Sequence, residues 1–194
     1  MRIVGLTGSI GMGKSAVATM LRRLHVPVFD ADAAVHILQG PGGALLPAIE
    51  AQFPGTTGPA GVDRAKLGAM VLGDTRRLQA LERIVHPAVA RMRTRFLRAN
   101  RSRPLVVLDI PLLYEKAGAK GMAAVIVVSA PFVVQRRRVL RRKGMTPAKF
   151  RQIVRRQVPD HIKRAKADYV IETARPKWHT FAEVRRVVAC LASH

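Results

Sequence analysis

Cysteine is almost absent: the 194-residue chain has one, Cys190. A single cysteine excludes internal disulfides and any multi-cysteine zinc site, and it points to a reducing compartment such as the cytosol. Aromatic residues are scarce, at 5%. Aliphatic side chains must therefore build the core, and the stacking platforms that single-strand nucleic-acid binders use are missing. No apolar run reaches the ~20 residues that span a bilayer. The longest candidate, Met122 to Val134, contains Ser129 and Pro131 and reads as a strand followed by a helix. The first residues enter a strand at once, leaving no room for a signal peptide. No internal repeat appears, and no heptad or stripe marks a subunit interface, so oligomeric state stays open.

Acidic residues are also few, 12 against 34 basic ones, for a formal net charge of +22. Such a balance suits nucleic acid or polyanionic small molecules. Arginine outnumbers lysine, as it does when solvated faces simply exchange one cation for the other. Together with the lack of aromatics, this argues against a nucleic-acid partner.

What is present is concentrated at the start. Gly8-Ser9-Ile10-Gly11-Met12-Gly13-Lys14-Ser15 fits G-x-x-x-x-G-K-[ST], the phosphate-binding loop of nucleoside triphosphate-binding proteins. The apolar run Ile3 to Thr7 precedes it as a buried strand. A helical pattern follows, with Val17, Leu21 and Leu24 on one face. Gly8, Gly11 and Gly13 are expected to supply positive φ and close backbone approach. The loop N–H groups, with Met12 and Ala16 among their donors, then converge on phosphate oxygens at a helix N-terminus. Lys14 reaches the β- and γ-phosphates and the Ser15 hydroxyl ligates Mg²⁺.

Further along, Val26 to Phe29 reads as a second strand ending in Asp30-Ala31-Asp32. In open α/β sheets ligands bind beyond the carboxyl ends of strands, so one of these acids can serve as a general base. Alternatively, Asp32 caps a helix over Ala33 to Gln39. A long helical stretch follows, with a loop from Pro54 to Gly61, a helix opened by Asp63, and an Asp74-capped helix from Thr75 toward Asn100. Pro87 predicts a kink or break in that last helix. The stretch exceeds a simple crossover and reads as an inserted subdomain for a second substrate. Leu105 to Asp109 is a third strand whose terminal acid, Asp109, matches the Mg²⁺-associated acid of phosphate-loop proteins. Ala124 to Ser129 is a strand buried on both faces. Two basic helices, Phe132 to Lys143 and the Thr146-capped Pro147 to Gln157, then carry arginines of the kind a lid brings onto a transferring phosphoryl group. Ala167 to Ile171 is a last strand and Trp178 to Leu191 a closing helix.

Taken together, Gly5-Leu6-Thr7-Gly8, the loop, Val28-Phe29-Asp30-Ala31-Asp32, Leu81-Glu82-x-Ile84-x-His86-Pro87 and Leu108-Asp109-Ile110-Pro111-Leu112-Leu113-Tyr114-Glu115 resemble the dephospho-coenzyme A kinase family. Gln135-x-x-Arg138-x-x-x-Arg142 and Ala167-Asp168-x-Val170-Ile171 extend the resemblance over nearly the whole chain. The resemblance implies an α/β P-loop nucleoside triphosphate hydrolase fold, a parallel sheet flanked by helices, in one domain over 1–194. Its core would take 1–39, 101–130 and 167–194, with a helical acceptor-binding insertion at about 40–100 and a lid at about 131–166.

It further implies transfer of the ATP γ-phosphate to the 3′-hydroxyl of dephospho-coenzyme A, with Mg²⁺, in the cytoplasm and without a membrane. Asp32 would be the base, His86 would help hold the acceptor, and Arg138 and Arg142 would face the phosphates. Ser9, Ala16, Gln152 and Thr173 depart from the family pattern, Gln152 where the lid often has an arginine and Thr173 where asparagine is frequent near the adenine. A nucleoside or nucleoside-monophosphate kinase shares the same core, insertion and lid. A nucleic-acid-stimulated ATPase is the reading from a different class.

Overall fold

A computed structural model describes residues 1–116 and 119–192. Ser193 and His194, the end of a tail to which the sequence assigns no role, lie outside the described residues. The elements run in chain order as β1 (Arg2–Thr7), α1 (Lys14–Arg23), β2 (Val28–Asp30), α2 (Ala31–Gln39), α3 (Leu46–Gln52), β3 (Thr57–Gly58), β4 (Gly61–Val62), α4 (Arg64–Val71) and α5 (Thr75–Ala99). They continue with β5 (Leu105–Asp109), α6 (Leu113–Lys116), β6 (Ala124–Ser129), α7 (Phe132–Leu140), α8 (Pro147–Arg155), α9 (Asp160–Ala165), β7 (Tyr169–Glu172) and α10 (Lys177–Ala192). Two compact units result: Met1–Phe29 with Asn100–His194, and Asp30–Ala99.

The first unit is built on a five-stranded sheet in the order β2-β5-β1-β6-β7. β1 lies parallel to both β5 and β6, and β6 parallel to β7. Leu6 of β1 stands opposite Asp109 of β5, so the phosphate loop and the acid leave the sheet at the same edge. The unbroken apolar run of β6 is buried throughout. Ala124, Ile126 and Val128 join a cluster with Val4, Leu6, Val17, Leu21, Val184 and Leu191, beneath α1 and α10. Val125 and Val127 point the other way and pack with Leu113. A strand covered on both faces has no polar side to alternate with, as the sequence pattern indicated.

The second unit is helical. Leu38, Leu45, Ile49, Phe53, Leu67, Val71 and Ala88 form its core, with Leu81, Ile84, Val85, Val89 and Met92 packed against it. α5 runs without a break through Pro87, so two separate helices are not formed. Leu81, Ile84 and Val85 before the proline and Ala88, Val89 and Met92 after it all pack into this one core, which holds the helix together across a residue that costs ~3 kcal/mol in mid-helix. Part of the expected loop before Asp63 is a short antiparallel hairpin, Thr57 opposite Val62. The Glu50 carboxylate organises it, accepting from Gly55 N (2.6 Å), Thr57 N (3.0 Å) and Thr57 Oγ1 (2.6 Å). Asp63 and Asp74 cap the starts of α4 and α5 as their positions suggest.

Candidate active site

The loop from Gly8 to Ser15 joins β1 to α1. Gly11 and Gly13 adopt φ of +77° and +94°, and Gly13 caps α1 with no side-chain acceptor, which leaves the helix N-terminus open to an anion. Gly8 departs from expectation, because its φ is not positive. Its small size is needed instead for packing: a Cβ there would lie 2.7 Å from the Val128 carbonyl oxygen. Two candidate donors are engaged within the loop, the Met12 N–H to Ser9 O (3.1 Å) and the Ala16 N–H to Gly13 O (3.0 Å). Either one meets a phosphate only by exchanging or sharing that bond.

Lys14 extends from the first turn of α1 and pairs with Asp109, the last residue of β5. The carboxylate side chain is 3% exposed and the lysine side chain 16%. Ser15 is exposed beside it. The hydroxyl and carboxylate are hard oxygen donors, the kind that Mg²⁺ takes together with water and phosphate. Thr7 Oγ1 donates to Pro111 O (3.1 Å), fixing the segment after Asp109 against β1.

The crossover from β6 to β7 grips the same loop. Arg138 donates to Thr173 O (2.6 Å), Thr173 Oγ1 (2.9 Å) and Gly11 O (3.5 Å). Thr173 Oγ1 in turn lies 2.5 Å from Met12 O. Arg138 therefore sits over the loop and the end of β7. Arg142 lies beyond α7, which stops at Leu140 rather than continuing to Lys143, and is exposed in the turn before Gly144. Positive φ at Gly144 (+75°) ends the turn there. Lys163 of α9, fully buried, is ion-paired with Glu115 of α6 (2.7 Å), whose Oε1 also accepts from Val158 N (3.0 Å). A cavity of about 370 Å³ lies here, lined by Ser9, Phe132, Gln157, Asp160 and Arg164 among others.

In the helical unit, the cap of α2 is Asp30, which accepts from Ala33 N (2.9 Å), rather than Asp32. The helix starts two residues earlier than expected, so Asp32 falls in its first turn with its carboxylate free of capping duty. It lines a cavity of about 440 Å³ with His36, Gln39, Arg64 and Leu67. The Arg64 guanidinium lies 2.9 and 3.2 Å from the two His36 ring nitrogens. His86 lines a separate hollow of about 480 Å³ with Gln79, Glu82 and Arg83. Asp32 and His86 thus line two different hollows. Sequence reasoning missed Arg64, His36 and Gln157. Each is a lone polar residue without a motif of its own, and only the fold gives each its partners.

Residues 2–176 match the protein family described as dephospho-CoA kinase. A relative from Novosphingobium aromaticivorans, itself named dephospho-CoA kinase, is 62% identical over 97% of this chain and 94% of its own length. Among solved structures, a Thermus thermophilus protein superposes with a TM-score of 0.84 at 34% identity, over 97% of this chain and 96% of that one. A dephospho-CoA kinase from Campylobacter jejuni superposes with a TM-score of 0.68 at 20% identity, over 100% and 98% of the two chains, a likeness of fold.

Proposed function

The chain belongs to the dephospho-CoA kinase family, and on that premise we propose how its residues share the work of that reaction. It is a phosphotransferase using ATP and dephospho-CoA as substrates, and it catalyses the last step of coenzyme A synthesis. The observation that carries the residue assignment is the Lys14–Asp109 pair at the mouth of a glycine loop opening α1.

The acceptor 3′-hydroxyl oxygen attacks the γ-phosphorus of ATP, the bond from that phosphorus to the β-bridging oxygen breaks, and ADP leaves. Asp32, free of capping, takes the hydroxyl proton. Lys14 exchanges Asp109 for the phosphate oxygens, and the loop N–H groups hold the β-phosphate. Ser15 and Asp109 would hold Mg²⁺, which would supply positive charge to offset the negative charge of the ATP phosphates. The helical unit takes the acceptor, with Arg64 and His36 beside Asp32 suited to an anionic or hydroxyl-rich group and His86 in the second hollow. α7 to α9 form the lid, and Arg138 and Arg142 serve the phosphates. Among the described residues no helix is long and apolar enough to cross a membrane. With ATP as donor and one exposed, unpaired Cys190, a cytoplasmic setting fits.

A coupled ADP-release assay tests this with ATP and Mg²⁺, offering dephospho-CoA, adenosine, AMP, CMP or single-stranded RNA. Turnover with dephospho-CoA is expected. Turnover confined to a nucleoside or nucleotide would overturn the acceptor, and stimulation by RNA alone would make the basic surface the functional feature.

A further inference from the structure

Ile10 stands in a variable position of the phosphate loop, yet both of its peptide groups are held by side chains from far along the chain. Gln157 Oε1 accepts from the Ile10 N–H at 3.1 Å. Gln135 Nε2 donates to the Ile10 carbonyl at 2.8 Å. Two amides are thereby presented in opposite senses, one by its oxygen and one by its nitrogen, and the peptide they bracket admits no other assignment. Gln135 is 3% exposed, so an amide turned the wrong way would leave buried groups unpaired.

The two glutamines come from the ends of the lid. Gln135 sits on α7, where Val139 and Gln135 also close on Gly11. Gln157 follows α8 and is held to it, its own N–H bonding Val154 O at 3.1 Å. α8 carries Lys149, Arg151 and Arg155. The tip of a loop containing three glycines, whose freedom would otherwise be lost on binding a triphosphate, is thus fixed by the segment that bears the lid's cations.

We propose that Gln157 and Gln135 are positioning residues that pre-set the phosphate loop for nucleotide and tie its geometry to the position of α8. The inference rests on the nucleotide-binding half of the reading above. A loop whose tip is unfastened binds ATP more weakly, because ordering is then completed at the expense of binding. Loss of one net hydrogen bond of this kind corresponds to about a tenfold rise in the dissociation constant.

The two senses of hydrogen bonding give a test with opposite outcomes for one substitution. Gln157→Glu keeps an acceptor toward the Ile10 N–H, whereas Gln157→Met keeps length and removes it. Gln135→Glu replaces the needed donor by an acceptor facing a carbonyl. Equilibrium binding of ATP with Mg²⁺ is measured without any acceptor, alongside hydrogen exchange at the Ile10 amide and melting temperature. Gln157→Met and Gln135→Glu are expected to weaken ATP binding by about tenfold. In Gln157→Met the Ile10 amide also loses protection, whereas Gln157→Glu, which keeps the acceptor but adds a negative charge near the loop, retains that protection. Wild-type affinity in Gln157→Met overturns the proposal. So does an equal loss in all three variants that follows melting temperature alone, since a purely structural role would behave that way. Because acceptor is absent, failure to phosphorylate dephospho-CoA would count against the acceptor assignment and leave this test intact.

Discussion

Lys14, the first residue of α1, is ion-paired with Asp109, the last residue of β5. The carboxylate is nearly dry, so this lysine neutralises a buried charge at the start of the helix that the glycine loop opens. Lys14→Ala is expected to abolish ATP binding and also to lower the melting temperature, because the buried Asp109 carboxylate loses the Lys14 ammonium. Lys14→Met combined with Asp109→Leu should recover stability while remaining inactive. Full stability in Lys14→Ala would show that the pair does not compensate the buried acid.

Asp30 and Asp32 differ by two positions and in task. Asp30→Ala should cost about 1 kcal/mol of stability through the lost α2 cap, read by denaturant unfolding. Asp32→Asn should keep ATP binding and lower kcat by ~10²–10⁴. Turnover within a few-fold of wild type in Asp32→Asn would move the base role to Asp30.

Arg64 and His36 line a cavity with Asp32, and His86 lines another hollow. Arg64→Ala should raise KM for dephospho-CoA by about tenfold, the scale of one lost charge-assisted hydrogen bond, with little change in KM for ATP. His86→Ala should act more weakly if the second hollow holds only a peripheral part of the acceptor. Steady-state kinetics with each substrate varied in turn separates the two, and a larger effect at His86 would reverse their order.

Glu50 gives the helical unit a pH dependence. Hydrogen bonds from the Thr57 hydroxyl, then the Gly55 N–H, hold its carboxyl below its ordinary value in the folded chain. The stabilisation is complete above the ordinary value and is lost as pH falls through it toward the lowered one. Melting temperature should therefore drop more steeply with acid in the wild type than in Glu50→Gln, with the two curves differing most above pH 5. Parallel curves would remove Glu50 as a contributor.

The phosphate loop, the two acids at strand ends and the doubly buried β6 were legible in the sequence because each depends on local chemistry. A glycine must stand where φ is positive, an acid is apparent beside a loop that binds phosphate, and a strand buried on both faces has no polar alternation. The continuity of α5 across Pro87 was not legible, since the packing that outweighs the proline comes from α2, α3 and α4. Nor was the reason for Gly8, whose constraint is the neighbouring carbonyl of Val128 and not its own dihedral.

The sequence by itself marked the groups expected to meet a triphosphate: the loop, Lys14, Ser15 and a carboxylate. Only the tertiary structure decided that Asp109 holds Lys14, that Asp30 and not Asp32 caps α2, and that Gln135 and Gln157 clasp Ile10 from 125 and 147 residues away. Such pairings join positions whose spacing along the chain carries no periodicity, so no local pattern could encode them. The sheet order and the helix crossovers bring them within hydrogen-bonding reach.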